Sequence, residues 1–286
     1  MKKKPLLPLA LLLGLLLPGT SLLAADDTES VLTGAGAHFA WIVFDALKED
    51  LEKKTGRKAR LLGENSMLGV GCKAGIKAAK QNSLDNETFG FVCCPLSDEE
   101  IEHERLIVYP LAKEPILILT NTANPVDDLG IDQVRAIFRG EITNWKEVGG
   151  RDQAIVVVTR LHCKKRPGHW KTILPSAKAF RQQRINVKSA AAVVQRVSDF
   201  SGAIGHTGST WLFKPEDNVK AISIGGVKPT AANLAAGTYP FFRQMSAITS
   251  REPSADVVKL IHEAQTGAAF QSVAKRFELL PLNSAR

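Results

Sequence analysis

The chain has 286 residues, 44% of them hydrophobic and 23% charged, which is typical of a soluble globular protein of one large or two ordinary domains. The formal net charge is +8, and Lys2, Lys3 and Lys4 supply three of these charges. If those lysines are removed with a signal segment, an excess of about +5 remains. The basic run Lys164-Lys165-Arg166 is too short for a nucleic-acid interface, so we expect no nucleic-acid partner. A basic cleft for a small anion and a solvated basic face both fit the charge.

The first 25 residues have the three parts of a secretory signal peptide. Lys2–Lys4 form a positive start, Leu6–Leu17 is an apolar stretch too short for a membrane span, and small residues precede cleavage near Ala24 or Ala25. No cysteine occurs before Cys72, so we expect no lipid anchor. The pattern predicts export to the periplasm.

The first half of the mature chain alternates short strands with amphipathic helices. A short strand at Val31–Thr33 precedes a tight loop at Gly34–Ala37. Predicted next are a helix over Ala40–Lys54 closed by Gly56, a strand at Ala59–Leu62, a helix over Lys73–Lys80 and a strand at Phe89–Cys93. Ser97, with Glu100 three residues later, predicts a capping box that opens the next helix.

The second half continues the alternation. Strands are predicted at Val108–Asn121, Ala154–Thr159, Gly202–Gly205 and Phe241–Thr249, and helices over Asp132–Phe138, Val187–Val197 and Ser254–Phe277, the last broken near Gly267. This order predicts an α/β fold with parallel sheet. In such sheets ligands lie at the carboxyl ends of the strands, so the candidate ligand loops are Gly34–Phe39, Ser66–Lys73, Cys93–Ser97 and Arg160–Trp170.

Motifs of common enzyme classes are absent from the sequence. It has no Gly-x-Ser-x-Gly elbow, phosphate-loop lysine motif, His-Glu-x-x-His or Cys-x-x-Cys. Cys163 and His169 could form a nucleophile pair, but no third group stands at a recognisable spacing to orient them. We therefore predict that the protein is not an enzyme.

Six segments in order resemble the periplasmic phosphate-binding proteins of bacterial ABC transporters. The most specific is Val134–Gly150 (VRAIFRGEITNWKEVGG), and the resemblance runs from about Leu32 to Leu282. The other five segments are Leu32–Phe39, Gly71–Lys77, Phe89–Glu99, Ser201–His206 and Lys228–Arg243.

The resemblance implies a two-lobe α/β flytrap, the type II periplasmic-binding-protein fold, each lobe a mostly parallel sheet flanked by helices. Lobe 1 would comprise residues 26–115 plus 241–286 and lobe 2 residues 116–240, with hinges near Lys113–Pro115 and Pro240–Phe241. A monomer of this family captures a small ligand in the cleft between the lobes and delivers it to an ABC permease in the inner membrane. The resemblance implies no required cofactor.

The ligand loops depart from the family pattern. On the first three loops, His38 replaces a Thr beside a retained Phe39, Cys72 replaces a Ser, and Cys93, followed by Cys94, replaces an Asp. The fourth loop keeps its Arg as Arg160, but His162, Cys163 and His169 occupy the stretch that follows it. The resemblance thus implies a ligand-binding set of His38, Phe39, Cys72, Cys93, Arg160, His162 and Cys163.

Two ligand classes remain open. Arg160 and the basic run Lys164-Lys165-Arg166 suit an oxyanion, whereas thiolate and imidazole groups suit a soft metal or metalloid bound by Cys72, Cys93, Cys163 and His38. Disulfides are an alternative use of the cysteines, because exported proteins commonly contain them. Cys72 could pair with Cys93 or Cys94, and a bond from Cys163 would lock the flytrap shut. A sensor that presents its closed form to a membrane sensor kinase is the alternative to transport. Trp145, Trp170 and His206 are predicted to pack, and His103 and His262 to lie on the surface.

Overall fold

The computed structural model of the protein describes residues 31–62, 71–83, 86–163, 166, 168–211 and 218–282, with only the backbone of residues 38–40. The predicted signal peptide at residues 1–25, most of the Ser66–Lys73 loop, Lys164 and Lys165 lie outside the described residues. Among the helices that are described, none is both long and apolar enough to cross a membrane.

The described residues form eight α-helices and twelve β-strands. The helices are α1 His38–Thr55, α2 Gly71–Lys80, α3 Asp98–Glu104, α4 Ile131–Arg139, α5 Ala190–Asp199, α6 Ala231–Ala235, α7 Ala255–Thr266 and α8 Ala268–Arg276. The strands are β1 Leu32–Gly36, β2 Ala59–Leu62, β3 Thr88–Val92, β4 Leu106–Asn121, β5 Asp128–Leu129, β6 Val156–Thr159, β7 Ile185–Asn186, β8 Ala203–Gly208, β9 Val219–Ala221, β10 Ser223–Ile224, β11 Phe242–Ser250 and β12 Leu280–Pro281.

The main sheet has the strand order β2-β1-β3-β11-β4-β8-β6-β7, with β9 and β12 also paired to β4. The pairs toward both ends of the sheet, β2-β1-β3 and β8-β6-β7, are parallel. The central strands β11 and β4 are antiparallel to each other and to their neighbours β3 and β8. The parallel sheet predicted from the alternating pattern therefore lies toward the ends, and the long strand β4 joins the two halves.

The hydrophobic residues pack into separate cores on the two halves of the sheet. One core draws on residues 32–112 and 245–279, and a second on residues 116–241, with a smaller cluster around α5. Strand β4 contributes to both main cores, through Leu111 and Ala112 to the first and through Ile116 and Ile118 to the second. The lobe boundaries and hinges given above stay predictions.

The prediction of a tight loop at Gly34–Ala37 is wrong, because Gly34 and Gly36 belong to strand β1. A Cβ on Gly36 would lie 2.3 Å from the carbonyl oxygen of Phe91 in β3. The glycines therefore allow two backbones to approach closely and do not mark a turn.

Other element ends agree with the sequence or differ for a visible reason. The Ser97 hydroxyl accepts a hydrogen bond from the Glu100 backbone N–H at 3.1 Å, as the capping pattern predicts. The helix predicted from Val187 begins only at Ala190, because the Ser189 side chain caps it by accepting a hydrogen bond from the Ala192 N–H. The break at Gly267 separates α7 from α8 as predicted.

Candidate functional site

Helix α2 is held against the first half of the sheet by a contact between glycines. A Cβ on Gly90 of β3 would lie 2.1 Å from the Gly75 carbonyl oxygen in α2. Only a residue without a side chain fits there, so the first turn of α2 lies beside the end of β3. This packing places Cys72, the second residue of α2, next to Cys93 and Cys94, which follow β3.

The four cysteines converge at this point, and all four are free thiols. The Cys72 and Cys93 sulfurs lie 3.7 Å apart, and the Cys93 and Cys94 sulfurs lie 4.0 Å apart. The Cys93 backbone N–H donates a hydrogen bond to the Cys72 sulfur at 3.3 Å. The Cys72, Cys94 and Cys163 sulfurs all lie within 4.8 Å of one another. The structure thus has a cluster of thiols where disulfides were an alternative.

Cys163 reaches this cluster from the other half of the molecule, on the loop that follows β6. Its backbone adopts a φ of 50°, a left-handed conformation that a residue other than glycine, Asn or Asp rarely adopts. Hydrogen bonds with Cys72 and then Cys94 lower the pKa of the Cys163 thiol to about 4. The pKa of Cys94 is raised instead, by its hydrogen bonds with the other three thiols and by burial. At neutral pH Cys163 is therefore a thiolate, whereas Cys94 stays a protonated thiol.

A cavity of about 300 Å³ opens beside the thiols. Its positive groups are Arg160, Arg166 and Lys73, and the first turn of α2 adds backbone N–H groups. The Arg160 Nε donates to the Lys188 carbonyl oxygen at 3.1 Å, and burial lowers the pKa of its guanidinium. The cavity is lined by Ala37, Gly71, Cys72, Lys73, Cys93, Arg160, His162, Cys163 and Arg166.

Arg166 links the fourth ligand loop to helix α3. Its Nε donates to a Glu100 carboxylate oxygen at 2.9 Å, and a second guanidinium nitrogen pairs with the same oxygen. This ion pair raises the pKa of Arg166. The Glu100 carboxylate, predicted as part of the capping box, therefore holds Arg166, one of the residues that line the cavity.

Three histidine rings extend from the cavity into the second half of the molecule. The His162 and His169 ring centres are 4.6 Å apart, and those of His169 and His206 are 5.3 Å apart. Burial lowers the pKa of His206 to about 3 and that of His169 well below its ordinary value, so both rings are neutral at neutral pH. A ring nitrogen of His162 also lies within 4.8 Å of the Cys93 and Cys94 sulfurs.

The structure brings five of the residues predicted from sequence onto one cavity. These are Cys72, Cys93, Arg160, His162 and Cys163. The roles of His38 and Phe39, whose side chains lie outside the described part, stay predictions. The predicted metal set stays a prediction; of its members, Cys72 and Cys163 group with Cys94 within 4.8 Å.

The ligand-binding set predicted from the sequence omits Cys94, Lys73 and Arg166, although all three lie on predicted ligand loops and Arg166 is among the basic residues expected to suit an oxyanion. A signal existed for Cys94, which adjoins Cys93, but the sequence did not indicate which of two adjacent thiols faces Cys163. Trp145 and Trp170 are buried packing groups and His206 packs edge-on to Phe138, as predicted. His103 and His262 lie on the surface, also as predicted.

Comparison with known proteins matches the chain to one superfamily over most of its length. A family model described as "PBP superfamily domain" matches residues 23–273. The phosphate-binding protein PstS of Bacillus subtilis is 34% identical over 155 residues, which are 54% of this chain and half of that relative's length. Protein SphX of Synechococcus elongatus is 23% identical over 256 residues, covering 82% of this chain and 71% of that protein.

Solved structures share the fold. A substrate-binding protein of Clostridium perfringens, solved with bound phosphate, superimposes with a TM-score of 0.74 at 24% identity over 89% of this chain and all of that one. An ABC-type phosphate transport receptor from Vibrio cholerae gives a TM-score of 0.65 at 24% identity over 88% of this chain and all of that one. The two-lobe fold predicted from the sequence is thereby confirmed.

Proposed function

The chain belongs to the PBP superfamily, in its phosphate-binding branch, and from this premise we propose that it is the extracytoplasmic substrate-binding component of an ABC transporter. It captures a small inorganic oxyanion in the cavity between the two halves and hands it to a permease in the inner membrane. Capture and release need no chemical step. The proposal agrees with the export signal expected for residues 1–25.

The placement of Arg160 is the observation that supports an oxyanion as the ligand. Its guanidinium lines the 300 Å³ cavity together with Lys73 and Arg166, at the N-terminal end of helix α2. Guanidinium groups pair with oxyanions through two parallel hydrogen bonds, and free N–H groups at a helix start favour negative charge. No carboxylate is among the described lining residues, and the three positive side chains outnumber the Cys163 thiolate there.

Isothermal titration of the purified protein with phosphate, arsenate and sulfate tests this function. We expect at least one oxyanion to bind, and Arg160→Ala to abolish that binding. Arg151→Ala is the matched control, because Arg151 is an exposed arginine that does not line the cavity. The proposal fails if none of the three anions binds, or if Arg160→Ala and Arg151→Ala bind equally well.

A thiophilic metal or metalloid is the second candidate for the solute. One specific observation favours it, the convergence of four free thiols on the same cavity. Soft ions prefer thiolate ligands, whereas the hydroxyl and carboxylate ligands expected from the family pattern suit hard oxyanions. The alternative in which the closed form signals to a sensor kinase uses the same cleft and stays a prediction.

A further inference from the structure

We propose that Cys72, Cys94 and Cys163 form a three-thiolate site that binds a trivalent metalloid, namely arsenic(III). The inference rests on the proposed function only in placing the solute in the same cleft. It differs from the set expected from sequence, in which Cys93 and His38 stood in place of Cys94.

The geometry supports a single central atom. The three sulfurs lie within 4.8 Å of one another. Thiolate bonds of about 2.3 Å to one ion place the sulfurs about 4 Å apart, so small side-chain rotations suffice to close the site. Cys94 is fully buried and Cys72 is 4% exposed, which fixes two of the ligands in the packed first core.

The surroundings favour a trivalent metalloid over a hard or tetrahedral cation. None of the described groups that line the cavity is a carboxylate, which removes the ligands that hard cations need. Two further groups lie nearby: the Cys93 sulfur is 3.7 Å from that of Cys72 and 4.0 Å from that of Cys94, and the His162 ring nitrogen groups with Cys93 and Cys94. Neither groups with Cys163 within 4.8 Å, so neither is placed as the fourth ligand of a zinc site around the triad.

The charge balance also favours arsenic(III). Arsenous acid, As(OH)₃, forms three As–S bonds with two thiols and the Cys163 thiolate, and the three hydroxyl groups leave as water with the two thiol protons and one proton from solvent. Arsenic stays trivalent, so neither an oxidant nor a reductant is needed. The product is neutral, so the occupied site holds no net charge, whose burial is costly. Three thiolates around a monovalent or divalent cation would instead leave net negative charge in the core.

The site joins the two halves of the molecule. Cys72 and Cys94 belong to elements of the first core, whereas Cys163 lies on the loop after β6, whose strand packs in the other half. Binding to all three sulfurs therefore ties that loop to the first core. We expect a bound metalloid to hold the cleft closed.

Native mass spectrometry of the reduced protein with arsenite tests the site. The expected mass gain is one arsenic atom less three protons, and free-thiol titration should fall from four thiols to one. A mass gain with only two lost protons would mean that arsenic binds through two sulfurs, and it would overturn the inference. Tight binding of Zn(II) or Cu(I) without arsenite binding would also overturn it.

Substitutions separate the triad from the fourth thiol. Replacing a residue that only supports a metal ligand typically weakens metal binding by about 10–100-fold. Cys94→Ser and Cys163→Gly should each weaken arsenite binding by more than this, because each removes a ligand. Cys163→Gly removes the sulfur without strain, because glycine readily adopts the φ of 50°. Cys93→Ser is the matched control and should bind arsenite within a few-fold of wild type. Equal losses in Cys93→Ser and Cys94→Ser would contradict the assignment.

Circular dichroism of the same variants checks that they fold, and titration with phosphate, arsenate and sulfate separates the two proposals. If arsenite binds through the triad while no oxyanion binds, the oxyanion function fails and the metalloid site stands. If an oxyanion binds through Arg160 and arsenite does not bind, the metalloid site fails and the oxyanion function stands.

Discussion

Arg166 and Glu100 form an ion pair that joins the loop after β6 to helix α3, beside the thiol-lined cavity that Arg166 helps to line. Both side chains are about one quarter exposed, so the pair is neither buried nor fully solvated. Because Glu100 lies on α3 and Arg166 on the loop after β6, the pair connects the two halves of the molecule.

Glu100→Gln should weaken oxyanion binding modestly. A partly exposed ion pair contributes up to about 1 kcal/mol, which corresponds to about fivefold in affinity. Isothermal titration of the variant measures this change. Glu99→Gln, at an exposed neighbour, is the control and should leave the affinity unchanged. Tighter binding in Glu100→Gln would show that the pair holds Arg166 away from the ligand.

Glu114→Gln should destabilise the protein strongly. Glu114 pairs with Arg243, its direct cross-strand neighbour, and accepts hydrogen bonds from the Thr210 N–H at 2.9 Å and hydroxyl at 2.6 Å. Glu114 is fully buried, so its loss leaves the Arg243 charge uncompensated, which costs about 3–5 kcal/mol.

Urea unfolding measures the free energy of unfolding of Glu114→Gln. Asp152→Asn is the control, because Asp152 forms an exposed ion pair with Lys146, and its effect should be far smaller. Similar effects of the two substitutions would mean that the buried pair adds little to stability.

Gly90→Ala should disturb the thiol site by displacing helix α2. The added Cβ would lie 2.1 Å from the backbone oxygen of Gly75, which no side-chain rotation relieves. Overpacking of this kind costs about 1–3 kcal/mol or more. Gly130→Ala is the control, since its Cβ would meet only the Gln133 side chain at 3.4 Å. Gly90→Ala should lower both the thermal unfolding midpoint and the affinity for arsenite, whereas Gly130→Ala should change neither.

The buried histidines should make the protein acid-sensitive. Burial holds the pKa of His206 at about 3, below the ordinary value of about 6.5 in the unfolded chain, and His162 and Arg160 add to the shift. Between these two pH values the unfolded chain binds the additional proton. The stability contributed by neutral His206 is thus complete above pH 6.5 and is lost as the pH falls toward 3, by up to about 1.4 kcal/mol per pH unit.

His206→Phe should flatten the pH dependence of the unfolding free energy between pH 4 and 6.5. Phenylalanine keeps the ring contact with Phe138 and cannot take up a proton. His103→Asn is the control, because His103 is exposed and its replacement should leave the slope unchanged. An unchanged slope in His206→Phe would show that other groups govern the acid sensitivity.

The sequence by itself determined the fold class and most of the elements. Hydrophobic periodicity, Ser97 as a cap and glycines at Gly56 and Gly140 fix local conformation, which depends on neighbours within a few residues. The order of ligand loops, through the family resemblance, also predicted a common site for Cys72, Cys93, Arg160, His162 and Cys163, which line one cavity, and their role as ligands stays a prediction. Where a local signal had two meanings, as with Gly34 and Gly36, the sequence misled.

Tertiary structure alone decided which groups touch. Cys93 and Cys94 both lie near Cys72 and His162, but only Cys94 groups with Cys163, and packing alone determines which of the two sulfurs does so. The row of His162, His169 and His206 and the pairing of Glu100 with Arg166 join residues far apart in the chain. Such contacts depend on how the two halves of the sheet meet, and no local pattern in the sequence encodes those distances.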